Sequence, residues 1–196
     1  KITATTTVDF DYCNDVEINE SYFNRNTGAA NLNVFNTADT NKCRFSKCQF
    51  NDNSATDATE LSCVKTTSAE SFEFTQCTFN NNTISNSSGN AELTGIYLHA
   101  SQGTLIQESL FINNTSESTT GTASCSLVDI IQGEGDKISK AIISNNSATS
   151  NGNTSDSIAN GIRITGNNAE NSYITECLIT KNNATATGTN SDTYCI

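Results

Sequence analysis

The side chains in this 196-residue sequence that invite chemistry are eight cysteines, one histidine and a few acidic clusters. The cysteines are Cys13, Cys43, Cys48, Cys63, Cys77, Cys125, Cys177 and Cys195. Their number is even, no C-x-x-C occurs, and His99 completes no Cys/His zinc spacing. Disulfides in an oxidising compartment are therefore expected. Cys48 with Cys77 is the simplest bridge within the chain, with two stacked free thiols as its alternative, and Cys13 with Cys195 a bridge between subunits. Acid–base chemistry has one candidate: Tyr97, His99 and Arg163 face outward near Asp129, and His99 with Asp129 one coil apart would form a catalytic pair of the kind a polysaccharide-cleaving enzyme needs. The acidic patches at Asp9/Asp11/Asp15 and at Gly133-Glu134-Gly135-Asp136 lack the D-x-D-x-D-G order of a calcium loop and read as solvated turns. P-loop, G-x-S-x-G and G-x-G-x-x-G motifs are absent. The expectation is a protein without catalytic residues, metal or cofactor.

Composition narrows the class further. The chain is rich in Asn, Ser and Thr, has no Pro, Met or Trp, and carries a net charge of −11. An acidic chain has no electrostatic grip on nucleic acid or on an anionic bilayer. No apolar run approaches the roughly 20 residues of a membrane span. The sequence begins at Lys1 without a leader, so a processed, extracellular or cell-surface product is expected.

The elements that hold these side chains emerge from a repeat. With an apolar residue as column zero, the chain places a small residue at plus three, an apolar one at plus five and Asn at plus eight. The zeros are Ile18, Phe45, Phe74, Ile106, Ile138 and Ile174. Plus three reads Ser21, Cys48, Cys77, Ser109, Ala141 and Cys177; plus five reads Phe23, Phe50, Phe79, Phe111, Ile143 and Ile179. Plus eight reads Asn26, Asn53, Asn82, Asn114, Asn146 and Asn182. Ten residues before each zero stand Val8, Phe35, Val64, Ile96, Val128 and Ile164. Repeats 27 to 36 residues apart indicate a solenoid, and period-two alternation of Val, Ile, Phe and Thr indicates strands. The fold expected is all-β: one parallel β-helix domain over residues 1–196, of about six coils and about 30 Å at the strand spacing. The step from zero to plus three is a corner, and the plus-five side chains stack inside. The plus-eight asparagines either bond amide to amide from coil to coil or simply tolerate a left-handed turn.

F-x-x-N in Phe23–Asn26, Phe50–Asn53, Phe79–Asn82 and Phe111–Asn114, with G-I-x-[LI] in Gly95–Leu98 and Gly161–Ile164, resembles the polymorphic outer-membrane protein repeat and related surface β-helix proteins. The resemblance implies a right-handed coil and a surface or adhesive role.

Eight sequons, at Asn19, Asn81, Asn86, Asn113, Asn114, Asn145, Asn153 and Asn183, are about as many as chance gives in so Asn-, Ser- and Thr-rich a chain. Asn81, Asn113 and Asn145 share the plus-seven column and are expected to point outward. Neither end shows a capping helix, so a stack open at both faces is expected. The function expected is structural: the repeating subunit of a surface fibre joined head to tail to itself, or a rod segment of an adhesin joined to its neighbours. Glycans are possible partners. The alternative is a carbohydrate-binding or polysaccharide-degrading β-helix.

Overall fold

The structure, a computed structural model, describes residues 6–12, 14–152, 156–165, 171–187 and 193–195. The described chain is all strand and turn, and every strand pairing is parallel. One coil illustrates the rest. The long strand Ala91–His99 turns through Ser101–Gln102 into Leu105–Gln107, then into Leu110–Ile112, then into Thr115–Ser118. The next long strand, Ala123–Ile131, arrives stacked on the first. Four walls result, and the wall of long strands holds seven strands in chain order, from Thr6–Asp11 to Thr193–Cys195. The chain is a parallel β-helix.

The columns of the repeat are physical stacks. Ile106 lies between Phe74 and Ile138, Phe111 between Phe79 and Ile143, and Ile96 between Val64 and Val128. The aromatic rings lie face to face at strand spacing: Phe23–Phe50 at 4.7 Å, Phe50–Phe79 at 4.9 Å, Phe79–Phe111 at 4.6 Å and Phe45–Phe74 at 5.0 Å between centroids. Each such pair contributes about 0.5–1.5 kcal/mol beyond its burial. One column departs from simple counting. Val128 pairs with Ile162, not Ile164, because the extra length of the last repeat is split, half of it before this strand and half after it.

Corners are made by single left-handed residues. Positive φ occurs throughout the minus-three column (Asp15, Lys42, Ser71, Gly103, Gly135, Asn171), the plus-two column (Glu20, Lys47, Gln76, Glu108, Lys140, Glu176) and the plus-seven column (Arg25, Asp52, Asn81, Asn113, Asn145, Lys181). A non-glycine residue accepts this conformation at about 1–2 kcal/mol, and the stack on either side imposes it. The plus-eight asparagines are not among the left-handed residues, so the tolerance reading of that column is set aside.

Those asparagines form a directional ladder. Asn82 donates from its backbone N (3.1 Å) and its Nδ2 (2.9 Å) to Oδ1 of Asn114 in the next coil. The same Nδ2 reaches back to the carbonyl of Phe50 at 2.8 Å. Asn26, Asn53 and Asn114 make the same double donation to Asn53, Asn82 and Asn146, and Asn146 makes it to Asn182. Every rung from Asn26 to Asn146 is buried, so the bonds form where water cannot replace them.

The plus-three column corrects the expectation of disulfides. Cys48, Cys63, Cys77, Cys125 and Cys177 are free thiols; Cys13 and the side chain of Cys195 lie outside the described residues. Cys48 Sγ donates to Ile18 O at 3.2 Å, Cys77 Sγ to Phe45 O at 3.4 Å and Cys177 Sγ to Ile138 O at 3.7 Å. Ser109 Oγ makes the same bond to Phe74 O at 3.5 Å. Cys and Ser in this column aim one donor at the zero-column carbonyl of the preceding coil, while the buried Ala141 in the same column shows that what the corner requires is a small side chain. The neighbouring Cys77 side chain draws the Cys48 thiol down to about 7, and Cys48 together with burial pushes the Cys77 thiol up. Burial pushes Cys125 up to about 12.

Two stability predictions follow from these columns. Asn82→Ala strands the buried backbone N–H and Nδ2 of Asn53 and takes the Nδ2 donor from the Phe50 carbonyl, and should cost about 2–5 kcal/mol in chemical denaturation. Asn81→Gly, one residue earlier at an exposed left-handed corner, should be neutral or stabilising by about 1 kcal/mol. Cys77→Ser should be nearly neutral and Cys77→Ala should cost about 0.5–1.5 kcal/mol; equal losses for both would contradict the donor role.

Candidate functional site

Among the described residues, a dense group of ionisable side chains converges on the long-strand wall, which bends in mid-strand. Side chains alternate in Ala91–Thr94 and again in Ile96–His99, but the phase shifts at Gly95, so Leu93 and Ile96 both point inward. A Cβ on Gly95 would stand 2.6 Å from the carbonyl of Leu127 and 3.1 Å from the Phe111 ring. The bend is therefore tied to a residue without a side chain. Outside it lies a recess of about 300 Å³ lined by Glu60, Lys65, Glu92, Thr94, Tyr97, Ile131 and Arg163.

Register decides what these groups do. Lys65, Tyr97, Asp129 and Arg163 occupy one outward column on four successive coils. Arg163 grips Asp129 with two nitrogens: Nε donates to Oδ1 at 2.9 Å and Nη2 donates to Oδ2. That bond to Asp129 pushes the Arg163 guanidinium further up, against the pull of burial. Lys65 is paired with Glu60, which also accepts from Ser62 Oγ at 2.9 Å. The Lys65 ammonium stands 5.5 Å from the centre of the Tyr97 ring. Burial, then the neighbouring Glu60 and Asp129 carboxylates, pushes the Glu92 carboxyl up; burial also pushes the Tyr97 phenol up.

The His99–Asp129 pairing expected from counting does not form. His99 lies opposite Ile131, and Tyr97 takes the place beside Asp129. Asp129 is fully buried, with both oxygens held by Arg163. An acid–base site needs a carboxylate free to exchange a proton with substrate, and two of the three carboxylates here are bound to cations. The network's chemistry is that of a satisfied polar cluster, with Glu92 left over.

The acidic patches stand apart from one another. Asp9 accepts from Asn36 Nδ2 at 2.9 Å and Asp15 lies 3.9 Å from Lys42; the Asp11 side chain is outside the described residues. Asp136 is buried and accepts from the backbone N of Thr104 at 2.9 Å, whereas Glu134 is exposed. Among the described residues no three His, Cys, Asp or Glu side chains converge on a metal position.

The sequon asparagines divide by column. Asn81, Asn113 and Asn145 are exposed at left-handed corners, stacked coil on coil, and Asn19 and Asn183 are exposed as well. Asn86 and Asn114 are buried, with Nδ2 donating at 2.8 Å to Asn90 O and Phe79 O respectively. A glycan on either would forfeit these bonds, so both are withdrawn as acceptors. Asn153 lies outside the described residues.

Sequence reasoning missed the charged columns at the corners. The plus-two column alternates Glu20, Lys47, Gln76, Glu108, Lys140, Glu176. Lys47 stands 3.6 Å from Glu20, Gln76 Nε2 donates to Glu108 at 2.9 Å, and Lys140 lies 4.0 Å from Glu108. The signal was available, since these residues keep a constant offset from column zero.

Compared with family models, curated proteins and solved structures, the chain matches none of them.

The Asp129–Arg163 bond carries a prediction. Arg163→Ala leaves a buried carboxylate uncompensated and should cost about 3–5 kcal/mol. Adding Asp129→Asn should recover most of that loss, because the amide needs no countercharge; denaturation of the single and double variants measures both.

Proposed function

We propose that this protein is a non-enzymatic structural rod segment of an extracellular or cell-surface assembly, whose coil stack is continued end to end by another coil of the same kind. One observation carries the proposal. Ile174 and Ile179, in the zero and plus-five columns of the last described coil, are 49% and 39% exposed, whereas Ile138 and Ile143 in the same columns one coil earlier are fully buried. An apolar column in mid-stack is sealed by the coil above it; in the last described coil it is not. The strand edges of Tyr173–Thr175, Leu178–Thr180 and Asn183–Ala186 end their sheets at the same face, and an open parallel edge is a template for further strands.

The satisfied polar cluster on the bent wall supports a non-enzymatic reading. The F-x-x-N repeat supports kinship with the polymorphic outer-membrane protein type of surface β-helix. The outward stack of Asn81, Asn113 and Asn145 supports a surface coat. The second reading, saccharide binding, is favoured by Glu92, whose carboxyl makes no hydrogen bond or ion pair among the described residues.

The test is association through the open face. In about 1 M salt, where charges are screened beyond about 3 Å, negative-stain microscopy and sedimentation should show rods longer than one chain. Ile174→Asp with Ile179→Asp should return them to single particles. Single short particles for the unaltered protein, with affinity for saccharides lost in Glu92→Ala, would overturn the rod reading in favour of the second.

A further inference from the structure

The open face carries charges as well as apolar columns, and they specify what fits it. This argument rests on the rod reading and names the partner. Four outward columns line the walls and corners where coils meet: minus three, minus one, plus two and plus seven. The first coil places Asp15, Glu17, Glu20 and Arg25 in them; the second answers with Lys42, Arg44, Lys47 and Asp52. All four pairs form, at 3.9, 3.2, 3.6 and 3.9 Å. Further along, Arg44 lies 3.5 Å from Glu73, and Asn81 Nδ2 donates to Asp52 at 3.2 Å. No step within the chain sets like charges together in these columns.

A head-to-tail joint between two copies would break that rule. In register, the last coil (Asn171, Tyr173, Glu176, Lys181) would meet the first coil of the next copy (Asp15, Glu17, Glu20, Arg25). Glu176 would face Glu20 and Lys181 would face Arg25. No opposite pair would form. Like charges directly opposite on neighbouring strands are destabilising, and a repulsive element is how an interface rejects a wrong partner.

We infer that the coil completing this face is not the first coil of a second copy but a coil of different sequence, in an adjoining rod segment, bearing a cation in the plus-two column and a carboxylate in the plus-seven column. The second coil of this chain, with Lys47 and Asp52, shows the chemistry required. Apolar columns and strand edges supply the adhesion of the joint; the corner charges choose the partner.

Self-association of the purified protein, measured by sedimentation velocity, tests this. The Debye length falls from about 30 Å at 0.01 M salt to about 3 Å at 1 M, so the unaltered protein should self-associate more weakly at low salt than at high salt. Glu176→Lys with Lys181→Glu turns both like pairs into opposite ones. At low salt this variant should self-associate about tenfold more tightly than the unaltered protein, and its salt response should invert. That inversion excludes a general salting-out of apolar surface. Circular dichroism and the melting temperature verify that the variant keeps its sheet, now that Lys140 neighbours a lysine. If the unaltered protein associates at low salt as tightly as the variant, or the variant associates less tightly, the inference falls and the rod reading stands. Failure of both proteins to associate at any salt overturns the rod reading, and the inference with it.

Discussion

A buried asparagine oxygen that receives two hydrogens from the coil before it constrains the rest of this structure. The oxygen of Asn114 is met by both the backbone N and the Nδ2 of Asn82, and Asn82 can donate this way only when the coils are aligned to the residue. A slip of one position would turn every inward side chain out and leave these donors unmatched in a dry interior. The spacing between asparagines is therefore free to vary from 27 to 36 residues while their alignment is not. Insertions fall in the turns on either side of the long wall, and the phenylalanine stack and the corners take their positions from the ladder.

This explains which parts of the architecture are legible in sequence. The zero, plus-five and plus-eight columns impose residue type, because Phe50, Phe79 and Phe111 must stack and Asn53, Asn82 and Asn114 must both give and receive. The left-handed columns impose only polarity and exposure. Glu20, Lys47 and Gln76 share a backbone conformation that none of their side chains advertises. The plus-three column misleads in an instructive way. Cys48 and Cys77 invite a disulfide, but Ser109 and Ala141 in the same column show that the shared property is small size, with a hydrogen-bond donor added where the residue is Cys or Ser. Where an insertion falls also matters. Counting back from Ile174 puts Ile164 beside Val128, and only the register of the folded wall puts Ile162 there and Arg163 against Asp129. Sequence brought Tyr97, Arg163 and Asp129 to one outward wall, but the pairing of Arg163 with Asp129 in place of His99 was out of its reach for that reason.

The same register links fold to function. A stack that repeats every coil offers at its last coil the surface its interior coils bury, so Ile174 and Ile179 are exposed for the reason that Ile138 and Ile143 are not. In the proposed rod, such a face would adhere but discriminate little. Discrimination falls to the outer corners, where left-handed residues hold charged side chains in straight files one strand spacing apart. The bent wall, with its cations held by Glu60 and Asp129, lies on the flank of the stack.

The most direct test of the account is hydrogen exchange at the asparagine side chains, resolved by nuclear magnetic resonance. Side-chain amides exposed to water exchange rapidly, whereas groups bonded inside the stack exchange only when the stack opens. The Nδ2 hydrogens of Asn82 and Asn114 should persist as long as the slowest backbone amides of the long strands, while those of exposed Asn113 and Asn145 are lost at once. Equal, rapid loss from all four would contradict the ladder and the coil register built on it.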